Sequence, residues 1–336
     1  MIRTLLIFSL GVALAGARER LNFDPDWLFL KGDSEGAGKV DFDDSTWRKL
    51  DLPHDWSIEG PFDPAAPAGA PGGYLPCGTG WYRKKFELPE SADDKCVFIE
   101  FDGVAMNGEV WINGEPLGIR PYPYLGFQYD LTPHLKEGGE NVLAVRVDNE
   151  RQPASRWYTG SGIYRHVWLT ITDPLRVDHW GTFVTTPKIT DEAATVVVKT
   201  TVVNGHSDRR EFRLVQEISW PIEPERRRVV DSAKTVTLEA GETRTIEQSI
   251  EIANPKRWSP DSPFLYLART RLETGRMGID EYRTPFGIRE FEFTADRGLV
   301  FNGAVLKMKG MCNHHDLGPL GAALWDNALR RRLIQL

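Results

Sequence analysis

Cysteine is scarce: the chain of 336 residues has three, Cys77, Cys96 and Cys312. So sparse and odd a set excludes a scaffold built on disulfides. A Cys77–Cys96 bridge and three buried thiols are both compatible with it. Positive charge is also in deficit, with 41 Lys plus Arg against 48 Asp plus Glu and a formal net charge of −7. Nucleic acid is therefore not an expected partner, because phosphate binding needs a surplus of Lys and Arg on one face. Beyond the N-terminus no apolar run is long enough to span a bilayer. The phosphate-loop spacing, the dinucleotide fingerprint, the G-x-S-x-G elbow and zinc-ligand spacing are all missing. There is no nucleophile triad, no internal repeat and no low-complexity tract.

What is present is an ordinary soluble balance, 41% hydrophobic and 26% charged residues, on a length that suggests two to three domains. Tryptophan is plentiful, at 11 residues. Eight of them fall between Trp27 and Trp180, as a Trp-rich β core would give; one or two stacking on sugar rings is the sharper reading. The opening, "MIRTLLIFSLGVALAGA", joins Arg3 to an apolar run and a small-x-small Ala15-Gly16-Ala17. This pattern reads as a secretory signal peptide over residues 1–17 and implies a secreted or periplasmic protein.

Most of the remainder has the period of strands. "CVFIEFDGV" alternates Val97, Ile99 and Phe101 against Phe98, Glu100 and Asp102; "NVLAVRVDN" aligns Leu143, Val145 and Val147; "HVWLTITD" aligns Val167, Leu169 and Ile171. Asn113-Gly114 sits between short β-prone runs and predicts a type I′ hairpin, whose two turn residues both need positive φ. These features predict a jelly-roll β-sandwich over residues 18–175. A second set of strands, including "ATVVVKTTVVN", "RTIEQSIEI" and "FLYLARTRLE", predicts an immunoglobulin-like sandwich over 176–285. Within it, Arg226 to Arg228 read as a solvated strand or loop, or as a docking patch. Over 286–336 the pattern changes. Asn302-Gly303 predicts a hairpin whose return strand runs from Val305 to about Met311. A helix follows, with Asp326 as its N-cap and Leu329, Leu333 and Leu336 on one face. The fold class is thus mainly β, ending in one βα unit, and such a unit leaves its apolar face exposed unless something covers it.

Three places carry candidate chemistry. In "CNHHD", His314 and His315 are adjacent and face opposite ways on an extended chain, a poor arrangement for one metal. Substrate contact and a hydrogen-bonded His/Asp network are the remaining readings. In "SRWYTGSGIYRHVWL", Arg156, Trp157 and Tyr158 precede Gly160-Ser161-Gly162, whose glycines permit a tight turn or a close backbone approach. That loop either frames a polar ligand or packs on the core. Glu290 and Glu292 in "REFEF" are a carboxylate pair on one strand face, as glycoside cleavage requires, or a solvated strand.

Six stretches in order resemble the front part of glycoside hydrolase family 2: "LPHDWSIEGPF", "GTGWYRKKFELP", "VWINGEPLG", "SRWYTGSGIYRHVWL", "TPFGIREFEF" and "KGMCNHHDLGPLGAAL". The first and fourth look most like its β-galactosidase branch. The resemblance implies a jelly-roll sugar-binding domain, an immunoglobulin-like sandwich and the start of a TIM barrel, here residues 286–336. It further implies a retaining exo-β-glycosidase acting on terminal β-linked sugars, whose acid/base and nucleophile Glu are expected beyond Leu336. This chain alone is then expected to be inactive. Among its own residues the resemblance assigns Asn313 and His315 to the sugar subsite. Arg156 stands where several members place a sugar-contacting Asp, and Arg156 and Trp157 join the candidate substrate-binding set. No cofactor or metal site is implied, cation assistance being left open, and a homo-oligomer is allowed. The rival reading is a non-catalytic carbohydrate-binding or structural β protein.

Overall fold

The computed structural model describes residues 18–136, 138–220, 227–275 and 277–336. The expected signal peptide lies outside them, as does Arg226 of the basic triplet. The described chain falls into two compact units, one of residues 19–171 with 311–336, the other of residue 18 with 172–310.

Ten strands build the first unit. They are β1 (Glu19–Asn22), β2 (Trp27–Lys31), β3 (Arg48–Leu50), β4 (Gly78–Phe86), β5 (Cys96–Phe101), β6 (Gly108–Ile112), β7 (Glu115–Arg120), β8 (Phe127–Asp130), β9 (Asn141–Asn149) and β10 (Val167–Thr172). A six-stranded sheet in the order β3-β2-β4-β9-β6-β7 faces a four-stranded sheet in the order β1-β10-β5-β8. Every pairing in the six-stranded sheet is antiparallel, as are β1–β10 and β5–β8 in the other. The layer between them takes the period-2 residues that the sequence lines up: Val97, Ile99 and Phe101 from β5, Leu143, Val145 and Val147 from β9, and Val167, Leu169 and Ile171 from β10. Trp27 and Trp56 complete it, so these tryptophans are core.

The opposite faces are not solvated as simple alternation would have it. Ala144 is buried under Trp47, Trp81 and Ala37, because the excursion between β2 and β3 folds back across the six-stranded sheet. In β5, Phe98 and Glu100 are buried as well. Asn113 and Gly114 both take positive φ, at 52° and 89°, and close the β6–β7 hairpin as expected. No bond joins Cys77 to Cys96; Cys77 is half-buried, and burial pushes its thiol pKa up.

The second unit is a seven-stranded sandwich of β11 (Leu175–Ile189), β12 (Ala193–Asn204), β13 (Arg210–Trp220), β14 (Arg227–Leu238), β15 (Thr243–Ala253), β16 (Tyr266–Thr274) and β17 (Met277–Phe286). Sheet β11-β12-β15 packs on sheet β14-β13-β16-β17 around two apolar clusters, one centred on Phe212 and Leu272, the other on Ile218 and Tyr266. Of the basic triplet, Arg228 is exposed and pairs with Asp231 along the same strand. A small meander follows: β18 (Phe291–Thr294), β19 (Gly298–Phe301) and β20 (Ala304–Val305). Asn302 and Gly303, at φ 47° and 81°, turn its hairpin.

Two expectations about residues 305–336 need correction. The return strand ends at Val305, and residues 306–315 have no regular structure. A strand persists only where its N–H and C=O groups find ladder partners. Among the described residues 306–311 have none beyond Leu306 N–H to the Leu299 carbonyl, 2.9 Å. Helix α1 spans Asp326–Gln335, but Asp326 lies inside its first turn and Trp325 occupies the N-cap with no side-chain cap. The Asp326 carboxylate instead sits 3.2 Å from His166 Nε2, while remaining in the first turn where the helix dipole favours an anion.

No residue of α1 is buried, and Leu333 and Leu336 are 57% and 66% exposed. An isolated helix of this length is marginal in water. Amides of 326–336 are therefore expected to exchange orders of magnitude faster than those of β9 by hydrogen-exchange mass spectrometry; equal protection would show that something covers this face.

His166 is held at both ring nitrogens, Nδ1 2.7 Å from Asp24 Oδ2 and Nε2 3.2 Å from Asp326 Oδ1. The hydrogen bond to Asp24 is the main cause, with Asp326 adding to it, of a pKa raised to about 9. The folded value exceeds the unfolded one of roughly 6.5. The stabilisation is therefore complete below about pH 6.5 and is lost as pH rises through 9. The urea-midpoint difference between wild type and His166→Gln should shrink between pH 6 and 9.5; a constant difference would mean that the imidazolium plays no part.

Candidate functional site

The loop joining β9 to β10 carries the candidate residues of the fourth motif. Gly160 has φ +68° and Gly162 φ +135°, backbone conformations that side chains rarely adopt. A Cβ on Gly160 would lie 2.4 Å from the Ala322 Cβ and 2.6 Å from Asp55 Oδ2. Both glycines therefore serve close approach: the C-terminal segment and Asp55 at Gly160, Tyr82 and His54 at Gly162. Gly321, at φ +60°, abuts Asp55 in the same way, its Cβ position being 2.4 Å from Oδ2.

Asp55 is the centre of this packing. It is 2% exposed and accepts four hydrogen bonds. Ser57 N–H at 3.0 Å and Ser161 N–H at 2.9 Å donate to Oδ1; Tyr158 O–H at 2.5 Å and Ala322 N–H at 2.8 Å donate to Oδ2. Burial, then the Asp55 charge, push the Tyr158 hydroxyl pKa far up, so the phenol stays a donor. Around it Ser57 Oγ donates to Ser161 Oγ at 2.7 Å, and Asn149 Nδ2 donates to the Gly160 carbonyl at 3.0 Å. The crevice left among these loops, lined by Ser57, Cys77, Asn149, Gln152, Trp157 and Tyr158, is about 10 Å³, room for roughly one water and not a sugar ring.

The surface large enough for a ring lies outside that crevice. Trp157 Nε1–H donates to Tyr124 Oη at 2.9 Å, which ties the two rings together. The Tyr124 ring meets His315 at 5.5 Å and Tyr122 at 5.8 Å, and Trp157 meets His314 at 6.0 Å. Tyr122, Tyr124 and Trp157 are 62%, 37% and 39% exposed. His315 is half-buried, with Tyr164 on its other side at 5.7 Å and the Thr159 carbonyl 3.4 Å from Nε2.

Two of the four sequence-derived site residues, Trp157 and His315, thus meet through Tyr124. Asn313 is exposed, and its Oδ1 accepts from Arg332 Nη1 at 3.4 Å. Arg332 also donates to the carbonyls of His314, at 2.6 Å, and Asp316, so α1 anchors the segment from behind. Arg156 is exposed and, among the described residues, makes no ion pair or hydrogen bond. His314 meets Trp157 and His315 meets Tyr124, and both stand on an irregular segment and not on a strand. The carboxylates of "REFEF" are a solvated pair: Glu290 lies 3.8 Å from Arg257, and Glu292 is exposed.

Sequence reasoning gave no role to Asp55, Tyr122, Tyr124 or Arg332, and placed Tyr158 only in a loop that frames a ligand or packs on the core. The tyrosines of "RPYPYLGF" were the available signal, as clustered aromatics in a turn-rich stretch. Among the described residues no group of three or more His, Cys, Asp or Glu could hold a metal, and no helix is long and apolar enough to cross a membrane.

Two family models match. Residues 64–174 match the sugar binding domain of glycosyl hydrolases family 2, and residues 176–289 match a second model of glycosyl hydrolases family 2. The chain is 45% identical to the β-galactosidase BoGH2A of Bacteroides ovatus over 96% of its own length and 37% of that protein's. It is 36% identical to a putative β-glucuronidase of Formosa agariphila over its full length and 31% of that protein. A glycosyl hydrolase family 2 member from Bacteroides cellulosilyticus superposes with a TM-score of 0.89 at 39% identity, over 94% of this chain and 41% of that one. A Bacteroides uniformis β-glucuronidase gives 0.85 at 30% identity, over 94% and 38%. The chain therefore spans about two-fifths or less of each of these proteins.

Proposed function

This chain belongs to glycosyl hydrolase family 2, and on that premise we propose that it supplies the sugar-facing frame of a retaining exo-β-glycosidase, with a terminal β-galactoside as the substrate. The observation that carries this reading is the meeting of Trp157 and His315 at the partly exposed Tyr124 ring, with Asn313 two residues before His315 in the chain. Aromatic faces stack on the apolar side of a sugar, and Asn and His offer donors and acceptors to its hydroxyls. Residues 1–17 would direct export.

Retaining cleavage needs one carboxyl group as acid/base and a second as nucleophile, about 5 Å apart. Around this surface the described carboxylates are Asp55, whose oxygens are filled by four donors, and Asp316. Neither is a catalytic group. The 336-residue chain by itself is expected to release no nitrophenol from β-galactosides or β-glucuronides, yet to bind methyl β-galactoside with shifts at the Trp157 indole in NMR. Trp157→Ala should weaken that binding by roughly 2- to 12-fold, the 0.5–1.5 kcal/mol of an aromatic contact. Turnover by the chain, or no perturbation at Trp157 by any β-glycoside, would overturn the reading.

Arg156 favours a second substrate. A guanidinium without a partner matches a carboxylate bidentately, as a β-glucuronide would present. Arg156→Met should leave galactoside binding unchanged; a selective loss of methyl β-glucuronide binding would move the assignment to uronic acids.

A further inference from the structure

Resting on the sugar-facing reading of the Asn313–His315 segment, we propose that Asp55 is a positioning residue: its carboxylate is the clamp that sets this segment against the aromatic loop. The donors come from separate parts of the chain. Ser57 N–H lies in the same turn as Asp55; Tyr158 O–H and Ser161 N–H come from the β9–β10 loop; Ala322 N–H comes from the C-terminal segment. One buried group thus binds the loop that bears Trp157 to the segment that bears His315. Glycine stands on both sides of it, and at Gly160 and Gly321 any Cβ would enter the space that Asp55 Oδ2 occupies.

The clamp requires a carboxylate, not merely a polar side chain of that shape. Ionised Asp offers two oxygens and no donor, whereas Asn offers one oxygen and an NH₂. In either orientation, the side-chain amide of the Asp55→Asn variant would set its NH₂ against one of two donor pairs: Ser57 and Ser161 N–H, or Tyr158 O–H and Ala322 N–H. Unmade hydrogen bonds on buried donors are costly, and those to a charged acceptor are the stronger kind. Loss at either oxygen frees one of the two elements. The segment would then keep its Arg332 contacts but lose its register against Tyr124 and Trp157.

The test compares Asp55→Asn and Tyr158→Phe with wild type in the full 336-residue chain. Amide exchange is read at Ala322 and Ser161, with Val145 in β9 as the fold control, and methyl β-galactoside binding is measured by NMR. D55N is expected to lose at least tenfold of the protection at Ala322 or Ser161 while Val145 keeps its own. Y158F, which retains three of the four donors, should lose less. Unchanged protection at both amides in D55N would overturn the clamp. Should D55N also lose Val145 protection, Y158F decides: a loss confined to Ala322 and Ser161 supports the clamp, and none refutes it. A positioning role further requires that D55N weaken galactoside binding in proportion to the lost protection; lost protection with unchanged affinity would make Asp55 purely structural. If wild type binds no glycoside while the exchange results hold, the sugar-facing reading fails and the clamp stands.

Discussion

Gly162→Ala is expected to destabilise the first unit by about 3–5 kcal/mol, from a strained backbone and an overpacked side chain together. At φ +135° an alanine is strained whatever the space around it. Its Cβ would also lie 2.4 Å from Tyr82 Oη and 2.5 Å from the His54 carbonyl oxygen. Neither neighbour can retreat. Tyr82 is fully buried and bonded to His54 Nδ1 at 2.8 Å, while His54 N–H donates to the Ile163 carbonyl at 2.8 Å. Gly162 itself is fixed by reciprocal backbone bonds with Ala105, at 2.8 and 2.9 Å. Gly78 is the control, with φ +124° and nothing within 4 Å of its Cβ position, so Gly78→Ala carries only the backbone cost of about 1–3 kcal/mol. The two variants are compared by urea denaturation, with hydrogen exchange in β9 reporting this unit separately from the other. Equal losses would show that the close approach at Gly162 is not rigid.

What the sequence makes legible is local. Asn113-Gly114 and Asn302-Gly303 announce their hairpins because few residues tolerate two consecutive positive φ values. The alternation in β9 and β10 announces the face that meets the opposite sheet. It does not announce that Ala144, on the other face, is covered, because the covering residues, Ala37 and Trp47, come from an excursion between two distant strands. The site divides in the same way. Trp157 and His315 stand in stretches whose composition marks them, whereas Asp55 is defined by partners 103, 106 and 267 residues away. Only the folded chain brings those donors to one carboxylate. Residues 306–311 show the converse: their apolar pattern suits a strand, but a strand also needs neighbours, and the pattern does not supply them.

Arg83→Met should cost about 3–5 kcal/mol, the usual result of removing one partner of a buried ion pair. Arg83 is 0% exposed; its Nε donates to Asp44 Oδ2 at 2.8 Å, and its Nη1 donates to the carbonyls of Ala37 and, at 3.0 Å, Lys39. Methionine preserves much of the volume but leaves the Asp44 carboxylate charged and buried, with two carbonyls stripped of a donor. Adding Asp44→Leu removes the uncompensated charge, so the double variant should recover roughly 1–3 kcal/mol and fall short of wild type by the two unsatisfied carbonyls. A double variant no better than R83M would show that the packing of the guanidinium against Phe42, 5.4 Å from the ring centroid, outweighs the charge. The position of this pair gives the experiment a functional edge. Arg83 and Tyr82 are neighbours on β4 and point to opposite faces, one under the β2–β3 excursion, the other under Gly162. R83M should therefore lower the unfolding midpoint while leaving exchange at Ser161 and Ala322 unchanged at low denaturant. A coupled loss there would mean that β4 transmits strain from the outer face of the sheet to the Asp55 clamp.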